Sequence, residues 1–202
     1  MYRINEVFYS LQGEGIRAGT ANVFVRFTGC NLQCAGKMIG EACQPLCDTE
    51  FVAGRNVNLD ELGDWISTVL DGRVCKWMIA TGGEPAIQLD SQFIDWWHDR
   101  DGRVAVETNG TIALPSEIDW ITVSPKVAEH AIKQKIAQEV KYVRSYGQAI
   151  PKTIVEADHY LISPHFDGQD LDCQTLRWCV DLVRDNPRWR LSVQQHNGWG
   201  LL

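Results

Sequence analysis

Hydrophobic and polar positions along the chain follow two periods in turn. Val23-Phe24-Val25-Arg26-Phe27 is rich in β-branched and aromatic residues and predicts a strand that runs straight into Gly29-Cys30. Leu59, Leu62, Ile66, Val69 and Leu70 fall at helical spacing and predict a helix over Leu59–Leu70. Lys76–Ala80 reads as a strand that ends at Thr81-Gly82-Gly83-Glu84-Pro85. Leu89–His98 is helical, and Arg103–Glu107 is a strand ending at Thr108-Asn109-Gly110. Trp120–Val123, Glu139–Val143 and His159–Ile162 are further strands, followed by a helix over Leu171–Arg184 and a last strand at Arg190–Val193. Between the first strand and the first helix, Cys30–Gly54 has many Gly, Pro and Cys and no period, so it reads as a loop.

Strands alternating with helices imply βαβ units and a parallel sheet. Polar or Gly-rich turns close nearly every strand, and in parallel α/β folds that edge is where ligands bind. About six strands are too few for a closed eight-unit barrel. The expected architecture is α/β, a partial, open parallel β/α barrel in one compact domain.

Composition narrows the setting. A length of 202 residues suits one domain, and 45% apolar residues can build a sizeable core. No run reaches the roughly 18 apolar residues of a membrane helix, and the start Met1-Tyr2-Arg3-Ile4-Asn5-Glu6 lacks a signal pattern. The expected location is the cytoplasm. A net charge of −7 argues against broad attraction to nucleic acid but leaves room for a small basic pocket.

The cysteines change the picture most. Their odd number, 7, suits a disulfide framework poorly. Cys75, Cys173 and Cys179 lie in apolar segments and read as buried small hydrophobes. Cys30, Cys34, Cys43 and Cys47 are instead clustered on the loop after the first long strand. Thiolates so spaced can hold a structural zinc or three irons of a [4Fe-4S] cluster. The position at the ligand-binding edge of a parallel sheet favours the cluster. Arg26 is conspicuous within an apolar strand, since a buried arginine needs an anionic partner, either a ligand carboxylate or a protein one.

In order, Leu11-Gln12-Gly13-Glu14-Gly15, Arg26-Phe27-Thr28-Gly29-Cys30-Asn31-Leu32, Cys47-Asp48-Thr49 and Thr81-Gly82-Gly83-Glu84-Pro85 resemble the 7-carboxy-7-deazaguanine synthase family of the radical S-adenosylmethionine (SAM) superfamily. The resemblance continues through Glu107-Thr108-Asn109-Gly110, Ser124-Pro125-Lys126 and Gln194-Gln195-His196, so it spans essentially the whole chain. It implies a radical SAM domain over residues 1–202 with a cluster-binding loop at 30–49. The family pattern Cys-x3-Cys-x2-Cys-Asp-Thr is interrupted here by about ten extra residues between Cys34 and Cys47. Cys30 and Cys47 match the first and third ligands. Cys34 keeps the first spacing and is preferred as the second; Cys43 is the alternative.

The resemblance further implies that Gly83, Ser124, Pro125 and Lys126, with Asn109 and Ser163, bind SAM. It places Leu11, Gln12, Gly13, Glu14, Arg26, Thr81, His196 and Leu202 at the substrate, and Thr49 at Mg2+. The tail Trp199-Gly200-Leu201-Leu202 lacks the family's closing proline. The implied reaction is radical ring contraction of 6-carboxy-5,6,7,8-tetrahydropterin to 7-carboxy-7-deazaguanine with loss of ammonia. The implied partners are flavodoxin or ferredoxin as electron donor and a second copy in a homodimer. Two other readings share parts of this pattern. A radical SAM activase of a glycyl-radical partner would use the cysteine loop and the Gly-Gly-Glu turn, but not Leu11–Gly15 or Arg26 as a small-molecule pocket. A zinc-binding module would use the cysteines alone.

Overall fold

The computed structural model describes residues 1–32, 34, 38–39, 42–43, 53–166 and 170–201, with the backbone only at 38–39 and 42–43. The strands are β1 (Tyr2–Leu11), β2 (Ala21–Phe27), β3 (Met38–Ile39), β4 (Ala42–Cys43), β5 (Arg55–Val57), β6 (Trp77–Gly82), β7 (Arg103–Thr108), β8 (Trp120–Val123), β9 (Ile136–Arg144), β10 (Glu156–Pro164) and β11 (Trp189–Leu191). The helices are α1 (Leu59–Leu70), α2 (Ser91–His98), α3 (Cys173–Asp185) and α4 (Gln195–Trp199). Among the described residues, no helix is long and apolar enough to cross a membrane.

Nine strands form one sheet in the order β11-β10-β9-β8-β7-β6-β2-β1-β5. From β2 through β6 to β11 every pairing is parallel. β1 and β5 add an antiparallel edge. The expected open α/β sheet is therefore present, its seven strands read from the sequence enlarged by β1 and β5. β1 is hard to read because Ile4 and Val7 are out of step across a bulge between Ile4 and Glu6, which breaks strict alternation. Within the cysteine segment, read as loop throughout, β3 and β4 form a short antiparallel pair.

α1, α2 and α3 each open on a side-chain cap. α1 opens on a capping box: the Asn58 side chain accepts from the Glu61 N–H and Glu61 accepts from the Asn58 N–H. Asp90 caps α2 by accepting from the Phe93 N–H at 2.9 Å, which moves its start from Leu89 to Ser91. Asp172 caps α3 in the same way through Thr175. Cys173 is thereby the first residue of α3 and is exposed, not buried as expected; Cys75 is half-buried and Cys179 fully buried. Burial pushes the Cys179 thiol up to about 11, against the pull of Arg144.

α1, α2 and α3 cover one face of the sheet. Leu62 and Ile66 of α1, Phe93, Trp96 and Trp97 of α2 and Cys179 of α3 join Val25, Phe27, Met78, Ala80, Val104, Val106, Val140 and Ile162 in one core. β7 passes to β8, and β9 to β10, with no helix between them, and β8 passes to β9 through a single 3-10 turn at Glu129–Ala131. The site lies on the opposite face.

Candidate functional site

Strand geometry sends alternate residues to the open face. Phe24, Ile79 and Ala105, with Phe8, Trp77 and Trp120 against them, make an apolar floor there. One pleat nearer the strands' C-terminal ends, the same face turns polar. Arg26 is opposite Thr81, Glu107 opposite Thr122, and Thr122 opposite Glu139. Thr81 donates to Glu107 at 3.0 Å, so a polar row runs from β2 to β9 without a gap.

The hairpin between β1 and β2 folds over this row. Gln12 Nε2 donates to Glu107 at 2.9 Å, while Gln12 Oε1 takes the Glu14 N–H at 3.1 Å. The Glu14 carboxylate is paired with Lys141 of β9. The Ile16 N–H donates to Glu139 at 3.0 Å and the Gly15 N–H to Ser192 Oγ at 2.9 Å. Gly15 is at φ +71, and a Cβ there would lie 2.3 Å from the Glu139 carboxylate, so only glycine suits this close passage. The hairpin and sheet enclose a small cavity lined by Gln12, Glu14, Glu107, Thr122, Glu139 and Lys141.

Charge in the cavity is finely balanced. Desolvation works against the Glu14 carboxylate, but Lys141 overrides it and holds the group below the usual carboxylate range. Desolvation likewise pulls the Lys141 ammonium down, but Glu14, Glu107 and Glu139 raise it above its ordinary value. Burial pushes the Glu139 carboxyl up, against the Ile16 N–H and Lys141.

The tail closes the other side. The Gln195 N–H donates to the Gly13 carbonyl at 2.9 Å, and His196 packs directly on Gly13. Leu11, Gln12, Gly13, Glu14, Thr81 and His196 are therefore brought together around one region. Arg26 lies on the same face beside Thr81, with its Nε donating to Glu6 at 3.1 Å, so it has a protein carboxylate as partner.

The cysteine loop leaves β2 at the same edge. Cys30 and Cys34 are half-buried, and Cys30 Sγ accepts from the Leu32 N–H at 3.4 Å, the kind of donor that stabilises a ligating thiolate. The Gly-Gly-Glu turn after β6 is its seat. The Gly83 N–H donates to the Phe27 carbonyl at 3.0 Å, and the Glu84 N–H to the Gly29 carbonyl at 2.8 Å. A Cβ on Gly83 would lie 2.0 Å from the Gly29 carbonyl oxygen. The Glu84 side chain is 1% exposed and accepts from Thr108 Oγ1 at 2.7 Å, the Asn109 N–H at 2.7 Å and the Ala86 N–H at 3.0 Å. Asn109 Nδ2 donates to Asn31 Oδ1 at 3.1 Å, tying β7 to the cysteine loop.

Among the described residues no group of three metal-ligating side chains is assembled. Cys47 and Thr49 lie outside them, as does Leu202, and Cys43 is described by its backbone in β4. What is described fits a cluster: two thiols at the ligand-binding edge, one accepting an amide N–H, on a loop seated directly against a glycine turn. Ser124 and Lys126 lie after β8, the Lys126 Nζ donating to Ser124 Oγ at 3.0 Å. Pro125 is half-buried between them, and Ser163 is buried at the end of β10. These SAM candidates surround the same edge on separate strands.

Glu139 and Lys141 were absent from the residues singled out in the sequence, and Glu107 entered only as part of the Glu107-Thr108-Asn109-Gly110 motif, with no role. The signal for the first two was present: Glu139 and Lys141 are charged residues two apart in a strand that alternates them with Val140 and Tyr142. For Glu107 the signal was its place at a strand end beside Asn109.

No family model matches the chain. A 7-carboxy-7-deazaguanine synthase of Bacteroides thetaiotaomicron is 39% identical, the match covering 97% of this chain and 96% of that one. One from Bradyrhizobium diazoefficiens is 38% identical over 99% of both chains, and one from Caulobacter vibrioides 39% over 99% of both. The crystal structure of QueE from Escherichia coli has the same fold, with a TM-score of 0.69 at 24% identity over 96% of this chain and 94% of that one.

Proposed function

This chain belongs to the 7-carboxy-7-deazaguanine synthase family, and on that premise we propose that the open sheet edge carries out the family's ring contraction. The protein is a radical SAM lyase that converts 6-carboxy-5,6,7,8-tetrahydropterin to 7-carboxy-7-deazaguanine with loss of ammonia, a step in 7-deazapurine synthesis. It uses a [4Fe-4S] cluster and SAM. When bound, these supply one-electron reduction and hydrogen abstraction, the difficult part of the chemistry.

The observation that carries this reading is the polar row Arg26–Thr81–Glu107 on the edge from which Cys30 departs. In our reading Cys30, Cys34 and Cys47 hold the cluster. Gly83, Asn109, Ser124, Pro125, Lys126 and Ser163 hold SAM. Glu107, oriented by Gln12 and Thr81, accepts from the N–H-rich pyrimidinone edge of the pterin. Arg26 meets the substrate carboxylate by turning its terminal nitrogens from the face where Nε holds Glu6. Leu11, Gly13, Glu14, His196 and Leu202 wall the pterin, and the hairpin and tail exclude water from it. Thr49 contributes to a Mg2+ site that orients the carboxylate. The same reading gives one domain over 1–202, a homodimer, a flavodoxin or ferredoxin donor and a cytoplasmic setting.

The deciding experiment is anaerobic incubation of the reconstituted protein with SAM, reductant, Mg2+ and the carboxy-tetrahydropterin. Mass spectrometry should find 7-carboxy-7-deazaguanine. A fully loaded cluster with no such product would overturn the proposal. Iron counting in Cys30→Ala, Cys34→Ala, Cys43→Ala and Cys47→Ala identifies the ligands: loss on Cys43→Ala with retention on Cys34→Ala would exchange those two.

A further inference from the structure

Three consecutive residues of the hairpin tip are gripped by three different partners: Glu14 by Lys141, Gly15 by Ser192 and Ile16 by Glu139. Glu139 and Lys141 are two apart on β9, so both face the site. In sheet order β9 is separated from the hairpin's own β2 by β6, β7 and β8. The hairpin is thus tied to the far side of the site it covers. The Glu14 and Lys141 side chains are 14% and 12% exposed. A buried pair adds little net stability but is costly to break from one side, so it selects one arrangement of the segments it joins. Here the arrangement selected sets Gln12, whose Oε1 is held by the Glu14 N–H while Nε2 is aimed at Glu107.

We propose that Lys141 and Glu139 are positioning residues for substrate binding, acting through the Gln12–Ile16 segment and not by contact with the reacting atoms. The assignment rests on the reading that this segment faces the pterin. The Glu14 carboxylate is engaged by Lys141, which leaves the Glu14 main chain to meet the ligand. Lys141 also balances Glu107 and Glu139. Without its ammonium, three carboxylates line the cavity with Arg17 as the remaining cation among its described lining residues.

The test compares Lys141→Met, Lys141→Arg and the double variant Glu14→Gln/Lys141→Met in the reconstituted, full-length protein. Lys141→Met should raise KM and the calorimetric Kd for the carboxy-tetrahydropterin about tenfold or more, with kcat changed much less. Lys141→Arg should recover part of the loss. The double variant, in which the Glu14 carboxylate is no longer left without its partner, should bind more tightly than Lys141→Met and carries the test if that variant does not fold. Unchanged KM and Kd in an iron-loaded Lys141→Met protein, or a double variant no better than the single, would overturn the assignment. Should the wild-type protein fail to convert the pterin, the proposed reaction falls separately. Hydrogen exchange then decides the positioning role: Gly15 and Ile16 amide protection must drop in Lys141→Met, and retained protection refutes it.

Discussion

Single residues at this site act through what they exclude as much as through what they bind. Gly83 illustrates the point. Its sequence context suggests a turn that approaches a ligand, and the fold shows that its nearest neighbour is the Gly29 carbonyl under the cysteine loop. A methyl group there must displace main chain, not a flexible side chain. Gly83→Ala is therefore expected to keep its secondary structure while iron bound after anaerobic reconstitution falls sharply. Full iron loading would show that the seat is not needed. Glu139 supports a prediction with a definite sign. Burial raises its carboxyl above the ordinary value in the folded protein. As pH climbs past about 4.3, the unfolded chain loses this proton before the folded one does. The folded state then binds more protons than the unfolded state, so this group's contribution to stability declines with rising pH. Denaturant melts of wild type and Glu139→Gln from pH 4 to 7 should diverge in favour of the variant, and parallel curves would contradict the direction.

At the level of elements, the predictability of each segment follows from how local its cause is. α1 was legible to the residue because its apolar spacing and its Asn58/Glu61 box lie within the segment itself. Asn58→Ala should cost about 1 kcal/mol and lower Tm by about 2–4 °C, as calorimetry can check, with no change in iron content. β1 was not legible, because its bulge breaks alternation and its pairing partners β2 and β5 are supplied by the rest of the sheet. The run of strands from β7 to β10 with no α-helix between them was legible, because no segment there carries a helical period. Right-handed crossovers put α2 and α3 on one face, so the opposite face, carrying Glu107, Glu139 and Lys141, is left to be covered by a hairpin and a tail.

Across the whole molecule, the site is a closure of distant segments. The β1–β2 hairpin reaches β9, and the C-terminal segment returns to the hairpin through Gln195 and Gly13. Removing residues 194–202 should leave the sheet folded, since none of the described residues among them belongs to a sheet strand. Pterin binding should weaken severalfold or more, measured as Kd, while cluster loading stays intact. Unaltered binding would dissociate the tail from the substrate region.

The sequence by itself determined the alternation of strands and helices, the ligand-bearing edge, the clustered cysteines and the family. Each of these is written in contiguous residues or in motifs whose order survives without the fold. The polar row was a matter for the tertiary structure alone. Arg26, Thr81, Glu107, Thr122 and Glu139 come one from each of five strands, and nothing in their local sequence relates one to another. Only parallel register places them side by side, and only the folded hairpin turns Lys141 from a strand lysine into the counter-charge of Glu14. Desolvation makes that difference physical: the same charges on an extended chain would be screened by water and would select nothing.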